Sequence, residues 1–372
     1  MIQIREIYKK KDIKKFVEFP NILYKDCPYF VPNMFGDEVN MFNPKKNPAY
    51  EYCETKLFLA YKNNKIVGTI CGLISHAYNL KKDVKQIRFT RIDMIDDIEV
   101  TKALVNAVME WGIEKGMNQM IGPIGFSDFD KQGLLVEGYD EMSNSLTLYH
   151  YPYYKEHLEK LGFIKDIDWI EFQVMMPKKE DERLNRLSDA IQKRYGYHMI
   201  KVKSKREVKP YIKLVFDLIN EAFAPLYGVV KLTDNQKKDY TKQFIQLVNY
   251  NFLFLVADKN NDLVGFGLIA PSINDALRSC NGHLFPFGFL KLLKDLKKTD
   301  IMDMYLIAVK PEHQSKGVNG LILAEGVRTS VKYGVRYAET GPELETNTKV
   351  ISQWKGFEVR QHRRRRCFTI DL

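Results

Sequence analysis

One stretch of this chain occurs twice, and that repetition constrains the fold more than anything else in the sequence. Leu57-Phe58-Leu59, Asn63-Asn64 and Val67-Gly68 return in the same order as Leu253-Phe254-Leu255, Asn260-Asn261 and Val264-Gly265. Other landmarks keep step. Met1-Ile2-Gln3-Ile4 answers Met199-Ile200-Lys201-Val202, Gly122-Pro123 answers Gly341-Pro342, and Gly162-Phe163 answers Gly356-Phe357. The spacing is about half of the 372 residues, so two copies of one folding unit are expected. The expected division is a first unit at 1–178, a linker helix at 179–198 and a second unit at 199–372.

Each copy alternates strands and helices. In the first, strands are expected at Ile2–Ile7, Lys56–Lys62, Lys65–Ser75 and Arg88–Ile95, with Asn63-Asn64 turning a hairpin. A helix follows from Val100 to Lys115, with Leu104, Val108 and Trp111 on one face and Gly116 just past its end. Next come a short strand ending at Gly122-Pro123, a helix at Lys155–Leu161 and a strand at Trp169–Met175. The second copy repeats the order, with a strand at Ile301–Val309 and helices from about Leu321 to Tyr333 and from Thr346 to Lys355. It also inserts Ser272–Thr299. Strands alternating with helices, some joined as hairpins, predict an α/β fold with a mixed sheet (α+β) in each half.

Composition narrows the function classes. Hydrophobic residues make up 45%, enough for a core in each half, yet no apolar run reaches the length of a membrane span. The five cysteines are scattered, no Cys-x-x-Cys pair exists, and the histidines fall at no metal-ligand spacing. No metal is expected, and a reducing, cytoplasmic setting fits best. The net charge is +10, but the basic residues are mixed along the chain with 47 acids. A nucleic-acid partner is therefore not expected, whereas an anionic small molecule such as a phosphorylated cofactor is.

One segment of the second copy has no match in the first. Pro311 to Gly320 joins a strand to an apolar helix and contains Gln314, Ser315, Lys316, Gly317, Val318, Asn319 and Gly320. A helix start leaves backbone N–H groups unpaired and carries partial positive charge, and glycine lets a phosphate approach closely. Lys316 adds a full charge. The stretch at the equivalent place in the first copy, Asp96-Asp97-Ile98-Glu99-Val100, has no glycine and three carboxylates.

The run Val309-Lys310-Pro311-Glu312-His313-Gln314-Ser315-Lys316-Gly317-Val318 resembles the acyl-CoA-binding motif of the GNAT superfamily of N-acyltransferases, Gln/Arg-x-x-Gly-x-Gly/Ala. Asn319 stands where Gly or Ala is usual. Asn347 and Trp354-Lys355-Gly356-Phe357 resemble the family's later Asn-to-Gly-Phe helix, with Trp354 nearest the place of a frequent tyrosine. The resemblance implies two tandem GNAT-like domains and one working cofactor site, for acetyl-CoA or another acyl-CoA. It implies cofactor contacts from Ala308, Val309, Gln314, Ser315, Lys316, Gly317, Val318, Asn319, Gly320 and Asn347. It further implies acyl transfer to an amine of a small molecule or peptide. The other reading is a non-catalytic protein that keeps the fold to bind CoA or a partner.

Transfer to an amine needs a base and stabilisation of developing charge. Asp303, on the strand before the loop, is the preferred base, and Glu339 is the second candidate. Tyr305 shares the face of Asp303 by strand alternation. The Tyr-rich loop of the first half offers Asp128, Tyr151 and Tyr154 to hold a cationic amine by charge and cation–π contact. Glu343 and Glu345 read as helix-start acids. The insertion around Leu284–Lys298 is basic and amphipathic, a membrane-surface helix or, as preferred, a lid or buttress. Arg363-Arg364-Arg365-Arg366 reads as a charged edge strand.

Overall fold

The computed structural model describes residues 1–298 and 300–372, with side chains described outside 243–247. The first half runs β1 (Ile2–Ile7), α1 (Lys10–Leu23), α2 (Phe35–Met41), β2 (Cys53–Lys62), β3 (Lys65–Ser75), α3 (His76–Lys82), β4 (Gln86–Met94), α4 (Ile98–Glu114), β5 (Gln119–Gly122), β6 (Leu134–Glu137), α5 (Tyr153–Lys160) and β7 (Ile164–Met175). Helix α6 (Glu182–Tyr195) links it to the second. The second half runs β8 (His198–Ile200), α7 (Lys205–Ala222), α8 (Asp234–Leu247), β9 (Leu253–Ala257), β10 (Leu263–Pro271), α9 (Asn274–Ser279), α10 (Gly288–Asp295), β11 (Ile301–Val309), α11 (Val318–Tyr333), β12 (Tyr337–Thr340), β13 (Glu343–Leu344), α12 (Thr348–Ile351) and β14 (Val359–Asp371).

The repeated hairpin shows why the copies agree where they do. Asn63 and Asn64 both adopt left-handed backbone, at φ 51° and 59°, the geometry a two-residue hairpin turn requires. The glycine that closes the repeat lies under a helix in both halves. A Cβ on Gly68 would come within 2.7 Å of Leu104 on α4, and one on Gly265 within 2.6 Å of Val318 on α11. The repeat therefore encodes a hairpin and the seat of the helix that covers it.

Among the described residues the strands form one mixed sheet in the order β1-β2-β3-β4-β5-β14-β7-β12-β11-β10-β9-β8, with β13 and β6 beside β7 and β14. The last strands of the two halves are exchanged. β14, from the end of the chain, pairs with β5, and β7, from the first half, pairs with β12. β7 and β14 pair with each other along the seam. The arginine run is therefore not at an edge, which corrects the sequence reading: it lies mid-sheet. Alternation turns Arg363 and Arg365 inward, and both are fully buried.

Glu171 on β7 meets those two arginines. Its carboxylate accepts from Arg363 Nε at 2.6 Å and also from Arg365 Nε. Arg363 reaches on to Glu339 at 2.7 Å. Burial alone would raise the Glu171 pKa, but Arg365 and Arg363 outweigh it and hold the group down at about 2. A depressed carboxyl stabilises the fold above its unfolded value of about 4.5 and loses that contribution as pH falls towards 2. Glu171→Ala would leave two buried guanidinium groups uncompensated and should cost about 3–5 kcal/mol at neutral pH by urea denaturation. A loss below ~1 kcal/mol would show that the seam does not depend on this carboxylate.

Candidate functional site

β11 and β12 run parallel and pair from Ile301–Met304 against Tyr337–Thr340. Gly341-Pro342 then turns the chain away, and Gly341 N–H to Met304 carbonyl, at 3.3 Å, is the last link. Beyond it the strands diverge. Tyr305, Leu306 and Ile307 line a cleft of about 390 Å³, within the range usual for small-molecule sites. One wall is apolar: Ile322, Leu323 and Val327 of α11, Ile269 of β10, Phe254 of β9, Val174 of β7, and Trp354 and Phe357. The opposite end carries Phe129, Trp169, Phe223, Leu226 and Tyr227, with Asp128 among them.

The glycine loop sits where β11 ends. Residues 311–313 form a short helical turn, Ser315 takes φ 61°, and Gly317 takes φ 87° as the residue capping α11. The left-handed Gly317 turns the chain into the helix so that the N–H groups of Val318, Asn319 and Gly320 start it without intrahelical acceptors. Gln314 Nε2 donates to the Val309 carbonyl at 3.3 Å and ties the loop to the strand. Tyr197 bonds His313 Nδ1 at 2.8 Å, and Ile191 of the linker helix packs against Gly317. Ser315 and Lys316 are exposed, while Ala308 and Val309 are buried at the strand end. Asn347 lines the cleft and caps α12 by accepting from Val350 N–H.

The acids divide into three kinds. Asp303 is fully buried, and neither of its oxygens has a hydrogen-bond partner among the described residues. Burial, then the charge of Glu339, push its pKa up to about 8, with Arg363 partly offsetting. Asp128 is half-buried in the cleft, and burial raises it to about 6. Glu339 is held by Arg363 and by Asn144 Nδ2 at 3.4 Å, an ion pair within the seam. Carboxyls near 6 to 8 exchange protons with amines and thiols near neutral pH, as general acid–base work requires.

Two expectations of secondary structure are corrected. Glu343 does not start a helix. It forms the short β13 against β7, faces the cleft, and accepts from Trp354 Nε1 at 3.1 Å through both oxygens. Burial pushes it up to about 7. Its position directly after Gly341-Pro342, at the mouth of the wedge, was the signal for it. The helix expected at Thr346–Lys355 is broken into α12 and a tighter turn at Ser352–Gly356, which buries Trp354. Tyr305 and Asp128 reach the cleft, whereas Asp303, Glu339, Tyr151 and Tyr154 are not among its lining residues. Tyr154 is wholly buried in the first half, and Tyr151 packs against the same core.

The chain is 27% identical over 372 residues to a protein called YghO of Escherichia coli K12, covering 98% of this chain and 94% of that one. It is 24% identical over 312 residues to a bacterial ceramide synthase of Caulobacter vibrioides, covering 82% and 79%. A tandem GNAT protein from the clavulanic acid biosynthesis pathway superposes with a TM-score of 0.56 at 11% identity, over 100% of this chain and 98% of that one. No family model matches. The fold is that of the tandem GNAT proteins.

The two halves differ at the wedge. Met94 of β4 and Val309 of β11 are equivalent, since each pairs with the repeat glycine, Gly68 or Gly265. In the first half, Tyr153 donates its hydroxyl proton to the Met94 carbonyl at 2.7 Å, and the Tyr154 hydroxyl accepts from Met94 N–H at 3.1 Å. Asp93 and Tyr24 hold the Tyr154 hydroxyl in turn. Tyrosines thus take both backbone groups of Met94, whereas in the second half Gln314 takes the Val309 carbonyl. They meet backbone needs there and bind nothing in the cleft.

An acid with a raised pKa favours the fold most below its unfolded value, and that contribution is lost as pH rises through the folded value. For Asp303 the window runs from about 4 to about 8. Asp303→Asn should gain stability relative to the natural chain across that window, by up to about 1.4 kcal/mol per pH unit, and level off above it. Paired denaturant curves at pH 5 and pH 8 that show a constant difference would place Asp303 in a solvated setting.

Proposed function

We propose that the chain is an acyl-CoA-dependent N-acyltransferase with one cofactor site, in its second half, and that the acyl group it moves is long and apolar. The observation that carries this reading is the wedge between β11 and β12, open onto an apolar cleft and headed by a left-handed glycine at a helix start. The residues fit the donor in three parts. The N–H groups from Ser315 to Gly320 and the Lys316 charge suit a pyrophosphate. The stretch of β11 between Met304 and Val309 suits an amide-bearing arm, and the wall of Ile322, Val327, Ile269 and Phe254 suits a hydrocarbon chain. A relative named a ceramide synthase supports the last point, because a ceramide is a long-chain amine carrying a fatty acyl group.

When bound, an acyl-CoA supplies a thioester whose acyl carbon takes the amine as its C–S bond breaks. The chain's own residues manage charge and protons. Asp128 faces the cleft and holds the incoming ammonium. The ammonium loses one proton to solvent, and Asp303, in its ionised form and reached through a water because it does not itself line the cleft, takes the second as the C–N bond forms. Glu343, near 7 and gripped by Trp354, is placed to return a proton to the leaving sulfur, the task that a tyrosine does elsewhere in this superfamily. Trp354 thus acts as the residue that positions Glu343.

Gly326 lies on the cleft side of α11, and a Cβ there meets nothing closer than 3.8 Å. Gly326→Leu would fill the apolar end. Thiol release should be faster with palmitoyl-CoA and a sphingoid base than with acetyl-CoA and ethanolamine. Gly326→Leu should cut the first rate by about tenfold while sparing the second, a loss in keeping with one or two methylene contacts. Asp303→Asn should lower both by about 10²–10⁴-fold. CoA binding without thiol release from any pair would make the chain a binding protein instead. Equal rates for short and long donors would refute the long-chain assignment.

A further inference from the structure

Helix α10, in the insertion between β10 and β11, has two apolar faces. The inner face is accounted for. Leu292, with Leu284 and Leu296, packs against Ile273, Ala276 and Leu277 of the insertion and Val31 of the first half. The insertion is fastened there by His283 to Glu18 at 2.9 Å and by the Gly282 carbonyl, which accepts from Phe35 N–H at 3.0 Å. It is therefore a buttress, as the sequence reading preferred. A buttress alone would carry polar residues outside.

The outer face does not. Phe285 is 82% exposed, Phe287 72%, Leu290 54%, Leu293 51% and Phe289 37%. At 100° per residue, Phe289, Leu290 and Leu293 fall on the arc opposite Gly288, Leu292 and Asp295, which are buried. Single exposed apolar side chains are ordinary, but a contiguous group marks a surface that is covered in use. Lysines border the group. Lys291, Lys294, Lys297 and Lys298 are all exposed. Lys291 donates to the Ser279 carbonyl and Lys298 pairs with Asp295, while Lys294 and Lys297 have no ion pair among the described residues.

We propose that this face docks the chain on an anionic lipid bilayer. Apolar and aromatic side chains enter the headgroup boundary, and lysines beside them meet anionic headgroups through flexible stems. A protein partner would need no such rim of one charge. The docking is shallow: among the described residues no helix is long and apolar enough to cross a membrane. The insertion springs from the strands that line the cleft. Its Asn274 bonds the Ser143 carbonyl at 3.2 Å and Ser145 N–H at 3.1 Å, beside Leu146 of the cleft wall. A bilayer held here lies beside the elements that build the site. That the bilayer delivers a lipid substrate rests on the acyl-transfer reading, whereas the docking itself does not.

Co-sedimentation of the full chain with vesicles of phosphatidylcholine, alone or mixed with phosphatidylglycerol, tests this. The natural chain should partition onto the mixed vesicles at least about tenfold more strongly, and added salt should weaken it. The triple variant Phe287→Ser, Leu290→Ser, Leu293→Ser and the double variant Lys294→Glu, Lys297→Glu should each lose about tenfold or more. These positions are exposed, so circular dichroism should be unchanged, and calorimetric binding of CoA should be unchanged as well. The CoA readout separates failure of docking from failure of the cofactor site. No binding to the mixed vesicles, or binding that the triple variant keeps, overturns the proposal. So does a lipid-free dimer that the triple variant converts to monomer, which would make this face an interface between two copies.

Discussion

The pairing of β7 with β14 is the constraint on which the rest of the molecule depends. Each of these strands belongs by sequence to one half and completes the sheet of the other, so the halves share one sheet. Glu171 lies at the centre, taken out of water and compensated by Arg363 and Arg365. Such a cluster contributes little if all its members are replaced by apolar residues, yet it is costly to break in part. It also reaches outwards. Arg363 and Arg365 donate to the carbonyls of Met142 and Leu148, fixing the loop that brings Leu146 to the cleft.

The same cluster sets the electrostatics of the site. Arg363 holds Glu339, which is the ladder neighbour of Asp303 across β11 and β12. Burial raises Asp303 most, Glu339 raises it further and Arg363 lowers it, so groups of the seam adjust the acidity of the buried carboxyl. The two adjacent acids thus differ in what they bond. Glu339 is spent on an ion pair, and Asp303 is left with no partner. The division follows from which strand faces Arg363.

Much of the architecture was legible. The β-branched run of β3 and the apolar run of β11 announce strands whose ends match the structure, Lys65–Ser75 and Ile301–Val309. The glycine loop and the doubled hairpin were equally plain, because each is a local signal. What escaped depends on distant partners. Nothing near Arg363–Arg366 tells that Glu171, Glu339 and Asp168 surround them. Tyr151 and Tyr154 suggested a binding surface by composition, whereas the tyrosine hydroxyls of that segment serve the open edge of β4. Glu343 looked like a helix-start acid until Trp354, eleven residues on, turned out to hold it in the cleft.

The two halves repeat one plan and differ at the end of the strand beside the wedge. In one, tyrosine hydroxyls meet the Met94 N–H and carbonyl of β4. In the other, Gln314 takes the Val309 carbonyl, and β11 lines an apolar cleft. The measurement that tests this most directly is the stoichiometry of CoA bound to the full chain, counted by native mass spectrometry beside Gly317→Glu. One CoA per chain, lost in the variant, is the predicted result. Two per chain, or one that survives Gly317→Glu, would contradict it.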